Sequence, residues 1–468
     1  MPLRVALINV GFEPWEPDVL PPLLKSPPFG IMYVGAYLRS NSYEVALFDW
    51  SGEELGEEKK SALQEFRPDI VGVTVLISSS ILRAMEISKW SKEMGAAVVW
   101  GGPGPTVLAE ITLRDAPVDA VVIGEGELTM LELCTALHDR SRLNHVKGIA
   151  FMENGKVVFT SPRPRIEDLD ALPMPLWDSI GDIGRYAIPF YGRKAIPMNT
   201  SRGCPNTCTF CYSKKMWGYT WHARSAEKIL AELRLIRKIY PPLNGVLFDD
   251  DLMAGDMKRL RRLCELLIET KTDILWNCQL RADEINEDLA GFIKEAGCRQ
   301  VSVGVESGSQ RLLDMTLKHV RLEDIKAAFD ILHGVGIEGV AMLMVGLPGE
   351  TEEDFAQTKR FLDRLEADSY MFAVYVPYPG TELYKVAREH GFEEPKTLKE
   401  WAMRGGEHHT MISRRNLSEV PWQRIDEFMT RMAKKARRMR YWREFKKSPL
   451  TAPMRGAKLL SRSRKPNL

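Results

Sequence analysis

The sequence predicts an α/β protein made of an N-terminal Rossmann-like parallel sheet, a partial (β/α)6 barrel of TIM type, and a helical C-terminal region. Three observations predict it. Strand-length apolar runs alternate with helix-length segments twice, over residues 3–138 and again over 196–390. Glycine-rich breaks follow several strands where their C-terminal ends should lie. A looser stretch, rich in proline and acids, separates the two series. The 468 residues suffice for several domains, and 44% hydrophobic with 27% charged residues excludes a disordered or fibrous chain.

In the first series strands are expected at 4–10, 44–48, 70–75, 97–100 and 119–123, with helices near 31–41, 80–94 and 127–138. Gly101-Gly-Pro-Gly-Pro-Thr106 follows the fourth strand and Gly124-Glu-Gly-Glu127 the fifth. In doubly wound sheets that edge is where ligands bind. Asn154-Gly155 between two apolar runs predicts a hairpin. The second series gives strands at 196–199, 244–249, 274–279, 300–305, 339–346 and 371–377. Ser225 is a helix N-cap, followed by apolar residues at Ile229, Leu230, Leu233 and Ile236 that give one buried face. The expected units are 1–145 for the first sheet, 146–195 for a hairpin and linker, 196–390 for the barrel and 391–468 for the helical remainder.

Of seven cysteines, Cys134, Cys264, Cys278 and Cys298 are scattered and read as buried small hydrophobes. The other three form Cys204-x3-Cys208-x2-Cys211, directly after the expected first barrel strand. Thiolates at this spacing can wrap one [4Fe-4S] cubane and leave one iron without a protein ligand. A zinc site, the competing reading, prefers four ligands, and no fourth thiol lies close along the chain. Phe210 precedes the last cysteine.

The motif resembles that of the radical S-adenosylmethionine (SAM) superfamily, and the likeness continues along the barrel. It implies that the open iron chelates the amino and carboxylate groups of SAM and that reductive cleavage yields a 5′-deoxyadenosyl radical. It implies SAM contacts at Asp250 and Asp251 after the second strand, Arg281 after the third, Gly304, Glu306 and Ser307 after the fourth, and Gly346 after the fifth. Taken singly, an acid or glycine at a strand end is often only a turn or a helix cap. The aromatic segment Tyr375-Val-Pro-Tyr-Pro-Gly-Thr-Glu-Leu-Tyr384 lies at the expected barrel mouth, for substrate contact or packing.

The first series resembles the cobalamin-binding domain of one radical SAM class. The likeness rests on Pro27-Pro-Phe-Gly-Ile-Met-Tyr-Val-Gly35, Ser78-Ser-Ser80, Gly101-Gly-Pro103 and Gly124-Glu-Gly-Glu127. It implies cobalamin contacts at Ser78, Gly101, Gly102, Gly124 and Glu125. There is no Asp-x-His-x-x-Gly motif and the first histidine is His138, so no loop histidine of this unit ligates cobalt. The implied function is a cobalamin-dependent radical SAM methyltransferase acting on an unactivated carbon, or on phosphorus, of a small-molecule, lipid or peptide substrate. The alternative is a radical SAM deoxygenase, dehydratase, cyclase or epimerase that keeps the domain and uses no cobalamin. Either takes electrons from an external donor such as flavodoxin or ferredoxin.

Net charge is +1, yet residues 431–468 hold fourteen Lys or Arg against Glu444 alone. Such a tail fits an anionic partner, or else a solvated basic helix with a frayed end. A tRNA-associated role rests on this tail alone. No stretch approaches the roughly 18 apolar residues of a membrane span and no signal pattern opens the chain, so a cytoplasmic location is expected.

Overall fold

The computed structural model describes residues 3–11, 26–137, 140–404 and 417–447. The first sheet begins with five parallel strands: β1 (Arg4–Asn9), β2 (Glu44–Asp49), β3 (Ile70–Thr74), β4 (Ala97–Gly101) and β5 (Ala120–Val122). β6 (Ile149–Glu153) and β7 (Lys156–Phe159) extend it antiparallel, in the order β2-β1-β3-β4-β5-β6-β7. The Asn154-Gly155 hairpin therefore forms as expected, but as an edge of the first sheet. Its partner is β5, where Ala120, Val121 and Val122 face Phe151, Ala150 and Ile149. Strand order reverses between β1 and β3, and that switch point opens a crevice at the C-terminal strand ends.

The second sheet contains β8 (Ile188–Phe190), β9 (Arg193–Met198), β12 (Leu243–Phe248), β13 (Leu275–Leu280), β14 (Cys298–Glu306), β15 (Glu338–Val345) and β16 (Ser369–Val374). β8 pairs antiparallel with β9, and the other six run parallel in sequence order as a curled half-barrel. A two-stranded ribbon of β10 (Ser201–Gly203) and β11 (Trp221–Ala223) lies between β9 and β12 in the chain.

Alternation along the barrel strands decides what faces the site. Ile196, Met198, Val246, Phe248, Trp276, Cys278, Val301, Val303 and Val305 share one core with the surrounding helices. Asp249, Asn277, Gln279, Gly304 and Glu306 fall on the opposite, inner face. The helix Ala226–Ile239 starts at Ser225, whose hydroxyl accepts the Lys228 amide at 3.2 Å, and buries Ile229, Leu230, Leu233 and Ile236. Cys134, Cys264, Cys278 and Cys298 are all buried.

The two sheets share cores as well as a covalent link. Met32 and Trp177 lie in the barrel core, and Trp177 donates its indole N–H to Glu232 at 2.7 Å. Tyr384, Leu398, Trp401 and Ala402, from beyond the barrel, pack with Ile81, Ala84 and Ile87 of the first unit. The C-terminal helix Trp422–Lys447 lays Ile425, Phe428 and Met432 against the barrel core. Residues 448–468, the end of the basic tail, lie outside the described residues, as does His138. No helix among the described residues is long and apolar enough to cross a membrane.

Candidate active site between the two sheets

The cysteine loop follows β10, and its chain path is fixed from below. Asp250, 1% exposed, accepts the Thr200 amide, the Thr200 hydroxyl (2.5 Å) and the Ser201 amide (2.8 Å). Asp251 accepts the Ser213 hydroxyl at 2.9 Å on the far side of the loop. Together the two aspartates clamp both roots of the loop. The Thr209 amide donates to the Thr316 carbonyl at 2.9 Å, and the Leu383 amide donates to the Thr209 carbonyl at 3.0 Å. Cys204, Cys208 and Cys211 are free and partly exposed, and the Asn206 amide donates to the Cys204 sulfur at 3.1 Å. Burial raises the pKa of the Cys208 thiol and pushes Cys211 up to about 12. Such thiols ionise when a metal takes the place of the proton.

The third aspartate of the run behaves differently. Asp249 sits on the inner face and is exposed, yet protein rings it closely enough for desolvation to raise its pKa, with Asp250 and Asp251 adding repulsion. Sequence pattern alone favours its two neighbours as the functional acids.

The other expected SAM contacts gather along the strand ends. Arg281 is held by Asp283 through Nε (3.0 Å) and Nη2 (2.9 Å), and Nη2 also donates to the Lys318 carbonyl at 3.1 Å. Glu306 adopts φ +59° and accepts from Lys318 Nζ at 2.8 Å. Ser307, 2% exposed, is committed to a turn: its hydroxyl accepts the Ser309 amide and meets Thr358 at 3.1 Å. Gly346 has φ +72°, and its amide donates to Glu350 at 3.2 Å.

At the C-terminal edge of the first sheet a cavity of about 310 Å³ opens toward the barrel. Gly101, Gly102, Gly124 and Glu125 line it with Gly72, and the barrel contributes Asn199, Arg202, Met216 and Trp217. Ser78 lies apart, buried and bonded to Ser80 at the start of the helix Ser80–Glu93. A larger cleft of about 580 Å³ sits at the opposite, N-terminal edge of the same sheet, far from the cysteine loop. Arg202, two residues before Cys204, joins the halves: its guanidinium donates to Glu125 at 2.7 Å and Glu127 at 2.5 Å, all three buried. Its position beside Gly203-Cys204 was the available signal; Gly72, an isolated glycine inside a strand, was another.

Residues 198–362 match the Radical SAM superfamily. An uncharacterized methyltransferase of Pyrococcus horikoshii is 33% identical over 368 residues, 77% of this chain and 78% of that protein. The chain belongs to the radical SAM superfamily. Residues 19–134 of this radical SAM protein match the B12 binding domain. An anaerobic magnesium-protoporphyrin IX monomethyl ester cyclase of Rubrivivax gelatinosus is 34% identical over 371 residues, 77% of this chain and 66% of that one. In fold it is similar to the radical SAM methyltransferase TsrM of Kitasatospora setae, solved with cobalamin and a [4Fe-4S] cluster (TM-score 0.69, 17% identity, 86% of this chain and 84% of that one).

The residues fit the implied cofactors. Among the described residues no three His, Cys, Asp or Glu close around a single ion, whereas a cubane binds its thiolates at separate irons. The crevice edge is built on glycine because the protein leaves no room for side chains there: a Cβ at Gly102 (φ +93°) would meet Thr74 Oγ1 at 2.7 Å, and one at Gly72 would meet Leu7 at 2.7 Å.

Proposed function

We propose that the protein is a cobalamin-dependent radical SAM methyltransferase acting on an unactivated carbon, or on phosphorus, of a small-molecule, lipid or peptide substrate. The observation that carries the reading is the crevice shared by the glycine edge of the first sheet and by Asn199, Arg202, Met216 and Trp217 around the cysteine loop. When bound, the cluster with SAM supplies a carbon-centred radical and cobalamin supplies a methyl group.

The chain's own residues then have distinct tasks. Cys204, Cys208 and Cys211 bind three irons. Arg281 offers a cation for the SAM carboxylate, Glu306 a carboxylate for its ribose, and the Gly346 turn a close backbone approach for its adenine. Asp250 and Asp251 keep the loop in place through its two roots. Gly101, Gly102, Gly124 and Glu125 border the cobalamin crevice, and residues 1–145 and 196–390 are the two cofactor-bearing units. Asp249, on the inner face between them, is placed to touch substrate. An external donor of flavodoxin or ferredoxin type supplies the electrons, and an anionic partner fits the basic tail.

Anaerobic reconstitution with iron, sulfide, cobalamin, SAM and dithionite tests the reading. 5′-Deoxyadenosine with S-adenosylhomocysteine and retained cobalamin is the expected outcome, and absence of cobalamin uptake overturns it. The cyclase relative favours one second reading, ring formation without methyl transfer, for which deoxyadenosine would appear without the homocysteine product.

A further inference from the structure

A buried cation lies on the Cys208 side of the loop, and none of the roles above uses it. Lys318 and Glu306 form an ion pair at 2.8 Å with side chains 9% and 12% exposed. Both flanks of Cys208 are tied to the segment that carries this lysine. Thr209 donates its amide to the Thr316 carbonyl at 2.9 Å, and Thr207 Oγ1 lies 3.2 Å from His319 Nε2. Leu317 (φ +49°) and His319 (φ +53°) occupy the left-handed region, so the chain turns on each side of Lys318.

The lysine is fixed at every end. Its amide donates to the Leu313 carbonyl at 3.0 Å, its carbonyl accepts from Arg281 at 3.1 Å, and its ammonium donates to Glu306. Glycine at 304 leaves the room for this pair: a Cβ there would stand 2.5 Å from Lys318 Nζ and 2.7 Å from Glu306 Oε1.

A buried pair of this kind adds little net stability, because desolvation offsets attraction. Its field acts on whatever charge changes beside it, and in a low-dielectric setting that field is strong. We propose that Lys318 is a positioning residue that sets the reduction potential of the cluster from the Cys208 side, with Glu306 as its counter-charge. This rests on the cluster reading above. The step concerned is a one-electron transfer: the external reductant is oxidised, the cluster's charge falls by one, and no bond or proton moves. A nearby cation favours that change and a nearby anion opposes it.

The test uses the full chain reconstituted with iron and sulfide, without SAM. Iron per chain is measured first, and the midpoint potential then follows from a dithionite titration read by electron paramagnetic resonance. Lys318→Met should move the potential to more negative values, Glu306→Gln to less negative values, and Lys318→Arg should keep the wild-type value. Opposite signs at matched iron content are the expected result. Unchanged potentials in both charge-removing variants, or shifts of the same sign, overturn the inference while leaving the cluster in place. If Lys318→Met holds no iron, Glu306→Gln decides alone, and an unmoved potential there overturns the inference. A wild-type chain that takes up no iron would instead defeat the cluster reading on which it stands.

Discussion

Asp249, Asp250 and Asp251 are consecutive, yet strand geometry gives them separate duties. Asp250 turns away from the cleft and takes three donors from Thr200 and Ser201, so its loss leaves buried groups unsatisfied. Asp250→Ala should cost about 3 kcal/mol in denaturant unfolding and lower iron uptake per chain. Asp249→Asn should leave both unchanged while altering turnover, because the side chains that hold the loop roots are those of Asp250 and Asp251; a fall in iron content would show otherwise. A fourth acid, Glu350, gives a pH signature. Burial raises the Glu350 carboxyl to about 7, with its neighbouring hydrogen bonds only partly opposing. The folded chain thus keeps a proton that the unfolded chain loses near pH 4.5, so this group's contribution falls as pH rises between those values and is fully lost above about 7. Glu350→Gln should flatten that slope in melts at pH 5 to 8; a slope equal to the wild type's would refute the assignment.

At the scale of elements, glycine placement is the feature with the sharpest consequence. Gly72 and Gly102 face contacts that no side chain fits without movement, whereas Gly291, inside the helix Glu287–Glu295, faces open space. Gly72→Val and Gly102→Ala should reduce cobalamin uptake, measured by absorbance after desalting. Gly291→Ala should leave uptake unchanged and raise stability by roughly 0.5–1 kcal/mol. The sequence made the parallel strands legible because each is a short, mainly apolar run, and several end at glycine or an acid, as at Asp49, Gly101, Asp249 and Gly346. It did not announce the helix Glu57–Phe66, which buries only Leu63 and so lacks an apolar stripe to read. The short helices Pro103–Val107 and Ala109–Asp115 were hidden by the Gly-Pro run that precedes them. In the site, cysteine spacing and strand-end order were visible, but partners such as Lys318 and Arg202 depend on contacts across 12 and about 75 residues, which no local pattern encodes.

Across the whole molecule, the charged junction of Arg202 with Glu125 and Glu127 ties the first sheet to the root of the cysteine loop. Breaking it by Arg202→Met leaves two buried carboxylates unpaired and should cost about 3–5 kcal/mol. Adding Glu125→Gln and Glu127→Gln should restore much of that loss, since the penalty lies in the orphaned charges. Thermal melts of the single and triple variants check this, and equal melting temperatures would contradict it.

The same junction bears on when the chain is competent for chemistry. The arginine that reads the seating of the first sheet lies two residues from the first cysteine, so the cradle of the radical-generating centre is completed by the neighbour that would receive its product. A chain whose upper half is displaced is, by construction, poorly equipped to start a radical with nowhere to send it.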